Sequence, residues 1–244
     1  ITTKFVGAKS ILKELLWFLK GQTDSKLLEA QGVNIWKGNS TRDFLDQRGL
    51  THYREGDIGP MYFFNVYHHG AEYKGCDADY SGQGFNQMSK LIDGLKKDPF
   101  SRRHMLTTYN PAVVDQGVLA PCHGIVIQFY VSTDMLLDCH VYIRSWDLGL
   151  GAPYNIASYA ILANIIAAKV GMQARELIIS TGDTHVYKTH VQALSAQLER
   201  TPYPFPKLSM SPTIGEKEFT ELTLDDFQIT GYFHHPTIKM EMAV

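Results

Sequence analysis

Apolar and polar positions alternate along this chain with two distinct periods. Ile11, Leu12, Leu15, Leu16, Phe18 and Leu19 recur at the i, i+3, i+4, i+7 spacing of a helix face, so residues 8–20 read as a helix that Gly21 stops. Residues 26–31 read as a short helix ending before Gly32, and residues 39–57 as polar loop with a helical piece at 42–47. Residues 85–97 form an amphipathic pattern closed by Asp98-Pro99. The period then shortens. Residues 105–109, 125–132 and 136–144 carry the β-branched and aromatic content of strands, the last two joined by a turn at Thr133-Asp134. Residues 156–170 are the longest apolar helical pattern, which predicts a buried central helix ended by Gly171. A strand at 176–181, an amphipathic helix at 185–200, a proline-rich turn at 201–206 and strands around Leu208 and Ile238 complete the pattern. This mixture predicts one α+β domain over residues 1–244, with a mixed β-sheet flanked by helices.

Composition narrows the function classes. The chain has 244 residues, 44% hydrophobic and 20% charged, which suits one good core. A net charge of −2 gives no electrostatic case for binding DNA or a membrane, and no apolar run is long enough to span a bilayer. Cys76, Cys122 and Cys139 are an odd, scattered set that argues against a disulfide framework and predicts a reducing, cytoplasmic setting. No Cys/His spacing suggests a metal, since His68-His69 and His234-His235 lack nearby cysteines.

The chemistry centres on Pro121-Cys122-His123, placed by the pattern at the start of a strand. A lone thiol there is more often an inert core cysteine than a nucleophile. If it lay on the strand, His123 would point to the opposite face, which speaks against a Cys-His hydrolase. A second cluster downstream, Arg144-Ser145-Trp146-Asp147-Leu148-Gly149-Leu150-Gly151-Ala152-Pro153-Tyr154-Asn155-Ile156-Ala157-Ser158-Tyr159, changes the picture.

Together these segments resemble the thymidylate synthase family. The likeness runs the length of the chain through Glu14-Leu15-Leu16-Trp17-Phe18, Gly59-Pro60-Met61-Tyr62, Ser101-Arg102-Arg103, Gly182-Asp183-Thr184-His185-Val186-Tyr187 and Met240-Glu241-Met242-Ala243-Val244. The family normally carries a further helix and strand ahead of a segment like this one, which begins at Ile1. The resemblance implies a sheet-to-sheet homodimer that converts dUMP to dTMP with 5,10-methylenetetrahydrofolate. Cys122 would add to the uracil ring, splitting a hard step into easier ones. Arg144, Ser145, Gln128, His185 and Tyr187 would hold the nucleotide, with Arg102 and Arg103 reaching across to the partner's phosphate. Asn155 would read the base, an amide being able to match N3–H and O4 of uracil, although it could equally cap a helix beginning at Ile156. Glu14 and Tyr62 would move protons. Trp36, Asp147, Leu150, Gly151, Tyr154, Ala243 and Val244 would hold the folate, Asp147 also serving base and catalysis, with the chain's tip as a lid.

Several positions depart from the family pattern. Ile143 stands where Gln usually precedes the arginine, and Phe63-Phe64-Asn65-Val66-Tyr67 replaces Gly, aromatic, Gln, Trp, Arg. Tyr109 replaces a customary Trp, and one extra residue lies between Cys122 and Gln128, which predicts a bulge or register change. Two other readings therefore stand beside the synthase: a pyrimidine-nucleotide hydroxymethylase that adds water instead of hydride, and an inactive homologue that binds nucleotide or RNA.

Overall fold

The computed structural model describes residues 1–241; Met242, Ala243 and Val244, and the lid expected of them, lie outside the described residues. Its main sheet has four strands, β1 (Met105–Thr107), β2 (Val126–Val131), β3 (Leu136–Asp147) and β4 (Gln173–His185), in that spatial order. The first three pair antiparallel, and β3 pairs parallel with β4. The sheet is therefore mixed, as the pattern predicts. A parallel pair needs a crossover. The long helix Gly151–Lys169 supplies it.

Among the described residues six further α-helices surround this unit: α1 (Ala8–Leu19), α2 (Lys26–Glu29), α3 (Arg42–Gln47), α4 (Phe63–Tyr67), α5 (Gln87–Lys97) and α7 (Val191–Leu198), with the crossover as α6. Side chains cap two of them. Thr41 accepts from the Phe44 amide at the start of α3, and Asn86 from the Ser89 amide at the start of α5. Strands β5 (Lys207–Met210) and β6 (Phe227–Thr230) form a separate antiparallel pair.

The core lies on one face of the sheet. Ile127, Phe129 and Val131 of β2, with Cys139, Val141 and Ile143 of β3, are buried against apolar side chains of α1 and α6. Seven residues of α1 are buried, which is why its periodicity is so legible. The other face of the sheet leaves Tyr130 59% and Ile178 43% exposed, so sizeable apolar surface meets solvent there.

Five local expectations need correction. The helix expected over 185–200 is an extension of β4 to His185, then a 3-10 turn at Lys188–His190, and only then α7. Parallel pairing with β3 holds that stretch extended. No strand forms at Ile238; β5 pairs with Phe227–Thr230 instead. Helix α6 starts at Gly151, five residues before Ile156, so Asn155 lies inside it and caps nothing. Cys122 and His123 sit in the loop ahead of β2, so alternation along a strand does not govern them. Finally, the extra residue disturbs neither β2 nor its pairing, which is continuous from Val126 to Val131. It is absorbed in the preceding loop, where Gly124 adopts a φ of 61°.

Leu162 of α6 has no exposed surface and packs in the middle of this core. Leu162→Ala should destabilise the protein by about 2–5 kcal/mol. Urea unfolding at fixed protein concentration measures this, and a loss below about 1 kcal/mol would mean α6 is not packed as described.

Candidate active site

Phe18 at the end of α1, Tyr62, His123 and Tyr159 gather beside the Cys122 thiol. The hydroxyl of Tyr62 lies 3.3 Å from Cys122 Sγ, and it is also 3.4 Å from the Cys122 amide. The His123 ring stacks on Tyr62 with centroids 4.6 Å apart, and its Nδ1 is 2.7 Å from the Tyr159 hydroxyl. Burial pushes His123 down to about 4, so the ring is neutral at pH 7. A ring that holds a proton so weakly is a poor base for a thiol, and His123 is wedged between two phenols. Burial, and then the neighbouring Cys122, hold Tyr62 well above the usual phenol value. Its backbone is at φ 45°, a conformation uncommon for a non-glycine residue and found preferentially at functional sites.

Two of the three free cysteines are ill suited to react. Burial pushes both Cys76 and Cys139 up to about 12, Asp57 adding to the effect on Cys76. Such thiols are poor nucleophiles at neutral pH. Cys122 is half-buried and reached by the adjoining strand. Its carbonyl accepts from the amides of Arg144 (2.8 Å) and Ser145 (3.3 Å). The exposed Arg144 guanidinium donates to the carbonyls of Pro121 and Ala120 at 3.2 and 3.4 Å. Backbone and side chain of one arginine therefore fix the Cys122 loop, with further N–H donors left for an anion.

The parallel ladder sets the rest. Ser145 pairs with Asp183, Trp146 with Thr184 and Asp147 with His185. His185 Nδ1 lies 2.9 Å from Asp183 Oδ1, and its ring meets Tyr187 edge-on at 5.1 Å. Asp147 is heavily engaged by its own loop: it accepts from the amides of Gly149 (2.8 Å), Leu150 (3.1 Å) and Gly151 (3.4 Å). A carboxylate on those free N–H groups stabilises the start of α6. Asn155 Oδ1 accepts from Trp146 Nε1 at 3.2 Å. An indole only donates, so this bond fixes the amide's orientation and leaves Nδ2 to a ligand.

Glu14 faces the same space from α1. Trp36 Nε1 donates to its Oε1 at 2.9 Å, and the Trp36 ring meets Tyr62 edge-on at 5.7 Å. The Glu14 residue as a whole is half-buried. Its carboxyl, enclosed by protein, is pushed up to about 7 by burial, with the Trp36 bond pulling the other way. A carboxyl poised near neutrality can both give and take a proton.

The structure thus brings together Cys122, Tyr62, Glu14, Trp36 and Arg144 with the Ser145–Asn155 segment, His185 and Tyr187. Leu150, Gly151 and Tyr154 lie on the loop and first turn leading to Asn155. It does not bring in three others. Gln128 sits on the outer sheet face opposite His140, and Arg102 and Arg103 are exposed in the turn before β1. Among the described residues the side chains of these three make no hydrogen bond or ion pair. Ala243 and Val244 lie outside the described residues. The roles of Trp146 and Tyr159 were not anticipated; both lie within the recognised motif run, but only contact geometry shows what each holds. Among the described residues no three His, Cys, Asp or Glu side chains gather as a metal would require, and no helix is long and apolar enough to cross a membrane.

A thiol under a phenol, a guanidinium on the same loop and a carboxyl near neutrality define a site for covalent and acid–base chemistry. The family model described as thymidylate synthase matches residues 1–244, and the chain belongs to that family. It is 49% identical over 244 residues to the thymidylate synthase of Human herpesvirus 8 type P (isolate GK18), covering all of this chain and 71% of that one. The thymidylate synthases of Saccharomyces cerevisiae and Homo sapiens are each 47% identical, over 252 and 244 residues. All of this chain is again covered, with 82% and 77% of theirs.

Two outcomes test this geometry. A Cβ at Gly124 would stand 2.1 Å from the Tyr159 hydroxyl, at a φ that L side chains rarely adopt. Gly124→Ala should therefore displace Tyr159 or the loop and alter the alkylation rate of Cys122 by iodoacetamide severalfold. Gly124→Ala/Tyr159→Phe should recover part of the change, and equal rates in all forms would exclude the contact.

The second concerns Glu14. Its folded value lies above the 4.5 of the free carboxyl. Any burial penalty is therefore absent below about 4.5, grows as pH rises, and is complete above about 7. Glu14→Gln should gain stability relative to the wild type across that window, approaching about 3 kcal/mol. Chemical denaturation at pH 5 and pH 8 measures it; a pH-independent difference would place the carboxyl in water.

Proposed function

We propose that this chain is a working thymidylate synthase, forming dTMP from dUMP with 5,10-methylenetetrahydrofolate. The observation that carries the reading is the contact of Cys122 Sγ with the Tyr62 hydroxyl, on a loop tied down by Arg144. The names of the relatives support it over the hydroxymethylase. The intact Cys122, Glu14 and Arg144 speak against an inactive homologue.

In this reading the Cys122 thiolate adds to C6 of uracil and makes C5 enolate-like. Arg144 and Ser145 hold the phosphate, the guanidinium offering a rigid fork of donors. Asn155, oriented by Trp146, presents Nδ2–H to O4 of the base, and its Oδ1 keeps a lone pair for N3–H. His185 and Tyr187 reach the ribose hydroxyl. Tyr62 and Glu14 exchange protons at the ring, their spacing set by Trp36.

The folate, when bound, supplies the carbon and the hydride. The residues present fit it. In this reading the largely buried Trp36 indole and the half-exposed Leu150, Gly151 and Tyr154 would line the folate's slot. A Cβ at Gly151 would meet only ordinary contacts, at 3.7 and 3.9 Å, so the protein's own packing leaves room for a ligand there. Asp147 retains lone pairs beyond those its loop uses.

The exposed outer sheet face and the unpartnered Arg102 and Arg103 support a homodimer in which those arginines serve the partner's phosphate. Three free cysteines agree with a cytoplasmic setting.

The wild-type protein, given dUMP and methylenetetrahydrofolate, should yield dTMP and dihydrofolate in equal amounts, read by mass and absorbance. Cys122→Ala should lower turnover by roughly 10⁴-fold or more. It should keep nucleotide affinity within about threefold, since the phosphate and base contacts lie elsewhere. Hydroxymethyl product without dihydrofolate would establish the hydroxymethylase instead. Substantial dTMP from Cys122→Ala would exclude the covalent mechanism.

A further inference from the structure

His190 has no exposed surface, yet only one of its ring nitrogens is satisfied. Nε2 lies 2.6 Å from the backbone carbonyl of Glu241. A carbonyl only accepts, so Nε2 carries the proton. Nδ1 has no hydrogen-bond partner and stands 3.7 Å from Asp147 Oδ1. The ring is pressed so firmly against the Asp147 loop that a Cβ at Gly149 would come within 2.4 Å of Nδ1. Tyr187 closes the other side, ring edge to face at 5.5 Å. One imidazole thus touches the loop that carries the candidate folate slot and the last described residue of the chain.

The C-terminal segment needs such a tether. From Gly231 to Glu241 it has no helix or strand of its own. It is pinned near its start, where the Tyr232 hydroxyl donates to the Ile1 carbonyl and the His235 amide donates to the Thr2 carbonyl. Arg200 then donates to the Pro236 carbonyl at 2.8 Å. Beyond Pro236 the side-chain bond that holds the described backbone is that from His190. The Asp147 loop is itself fixed from the far side, where the buried Lys4 donates to the Gly149 carbonyl.

We propose that His190 is a positioning residue for the folate co-substrate: it holds the C-terminal segment against the Asp147–Gly151 loop. This rests on the synthase reading for the identity of the ligand. His190 itself touches no reacting atom. Its larger effect falls on folate, because the Cys122–Arg144 contacts are made without it and a phenyl ring at 190 keeps the packing against Tyr187.

The test compares His190→Phe, which keeps a ring and loses the donor, with His190→Gln, which keeps an N–H near the Nε2 position. Calorimetry with dUMP, and then with an unreactive 5,8-dideazafolate in the presence of dUMP, separates the two ligands. His190→Phe should bind dUMP as the wild type does and bind the dideazafolate about tenfold more weakly, the loss of one buried hydrogen bond. KM for methylenetetrahydrofolate should rise in step, and His190→Gln should recover most of both. Carboxypeptidase should release the C-terminal residues faster from His190→Phe, which reports the tether without reference to any reaction. Should His190→Phe not fold, His190→Asn, whose amide is too short to reach Glu241, takes its place. Parallel losses of dUMP and dideazafolate, no loss of either, or equal behaviour of the Gln and Phe variants would overturn the proposal. A wild type that makes no dTMP would instead fail the synthase reading, which the carboxypeptidase comparison does not depend on.

Discussion

The parallel pairing of β3 with β4 is the constraint on which the site depends. It sets Ser145 beside Asp183 and Asp147 beside His185, joining two segments about forty residues apart in the chain. The crossover between them, α6, must then begin directly beyond Asp147, and its first turns carry Tyr154 and Asn155 back over the strand ends. Because α6 is buried along most of its length, its position is fixed by packing against both strands and α1. A site assembled on such rigid elements keeps its geometry without a ligand to hold it.

Polar groups in this site are held by each other, and the cost of burying them is turned into reactivity. Tyr62 accepts an unusual backbone conformation and lies on the thiol. His123 gives up its charge through burial and becomes a neutral spacer between Tyr62 and Tyr159. Glu14, which as an exposed residue would be ionised at neutral pH, sits near its midpoint because protein surrounds its carboxyl. None of these groups is independent: Phe18 packs against Trp36, Tyr62, Phe63 and His123 at once, so a shift at any ring reaches Cys122.

Much of this was legible in the residue pattern, and the rest was not, for identifiable reasons. Helix α1 and strands β2 and β3 stand out because each buries one face, which writes the period directly into the sequence. The stretch before α7 misled because His185 and its neighbours belong to a strand whose partner is distant in sequence. Local spacing contains no trace of β3. The short α4 escaped notice since five residues are too few to show a period. Within the site, Cys122 and Arg144 were recognisable as motif residues, whereas the contacts of Trp146, Tyr159 and His190 exist only after folding brings partners together.

Asp147 illustrates why motif likeness and mechanism should be kept apart. Its carboxylate takes three amide protons at the start of α6, a task any helix entry of this shape would need. That task alone accounts for an acidic residue here. Yet the same bonds lock the carboxylate in one orientation, leaving outward lone pairs aimed from a fixed point. Glycine at 149, required so that His190 can approach, keeps the loop close to the buried imidazole. The structural role therefore does not compete with a binding role. By immobilising Asp147, it removes the entropy that a free side chain would lose on meeting a ligand.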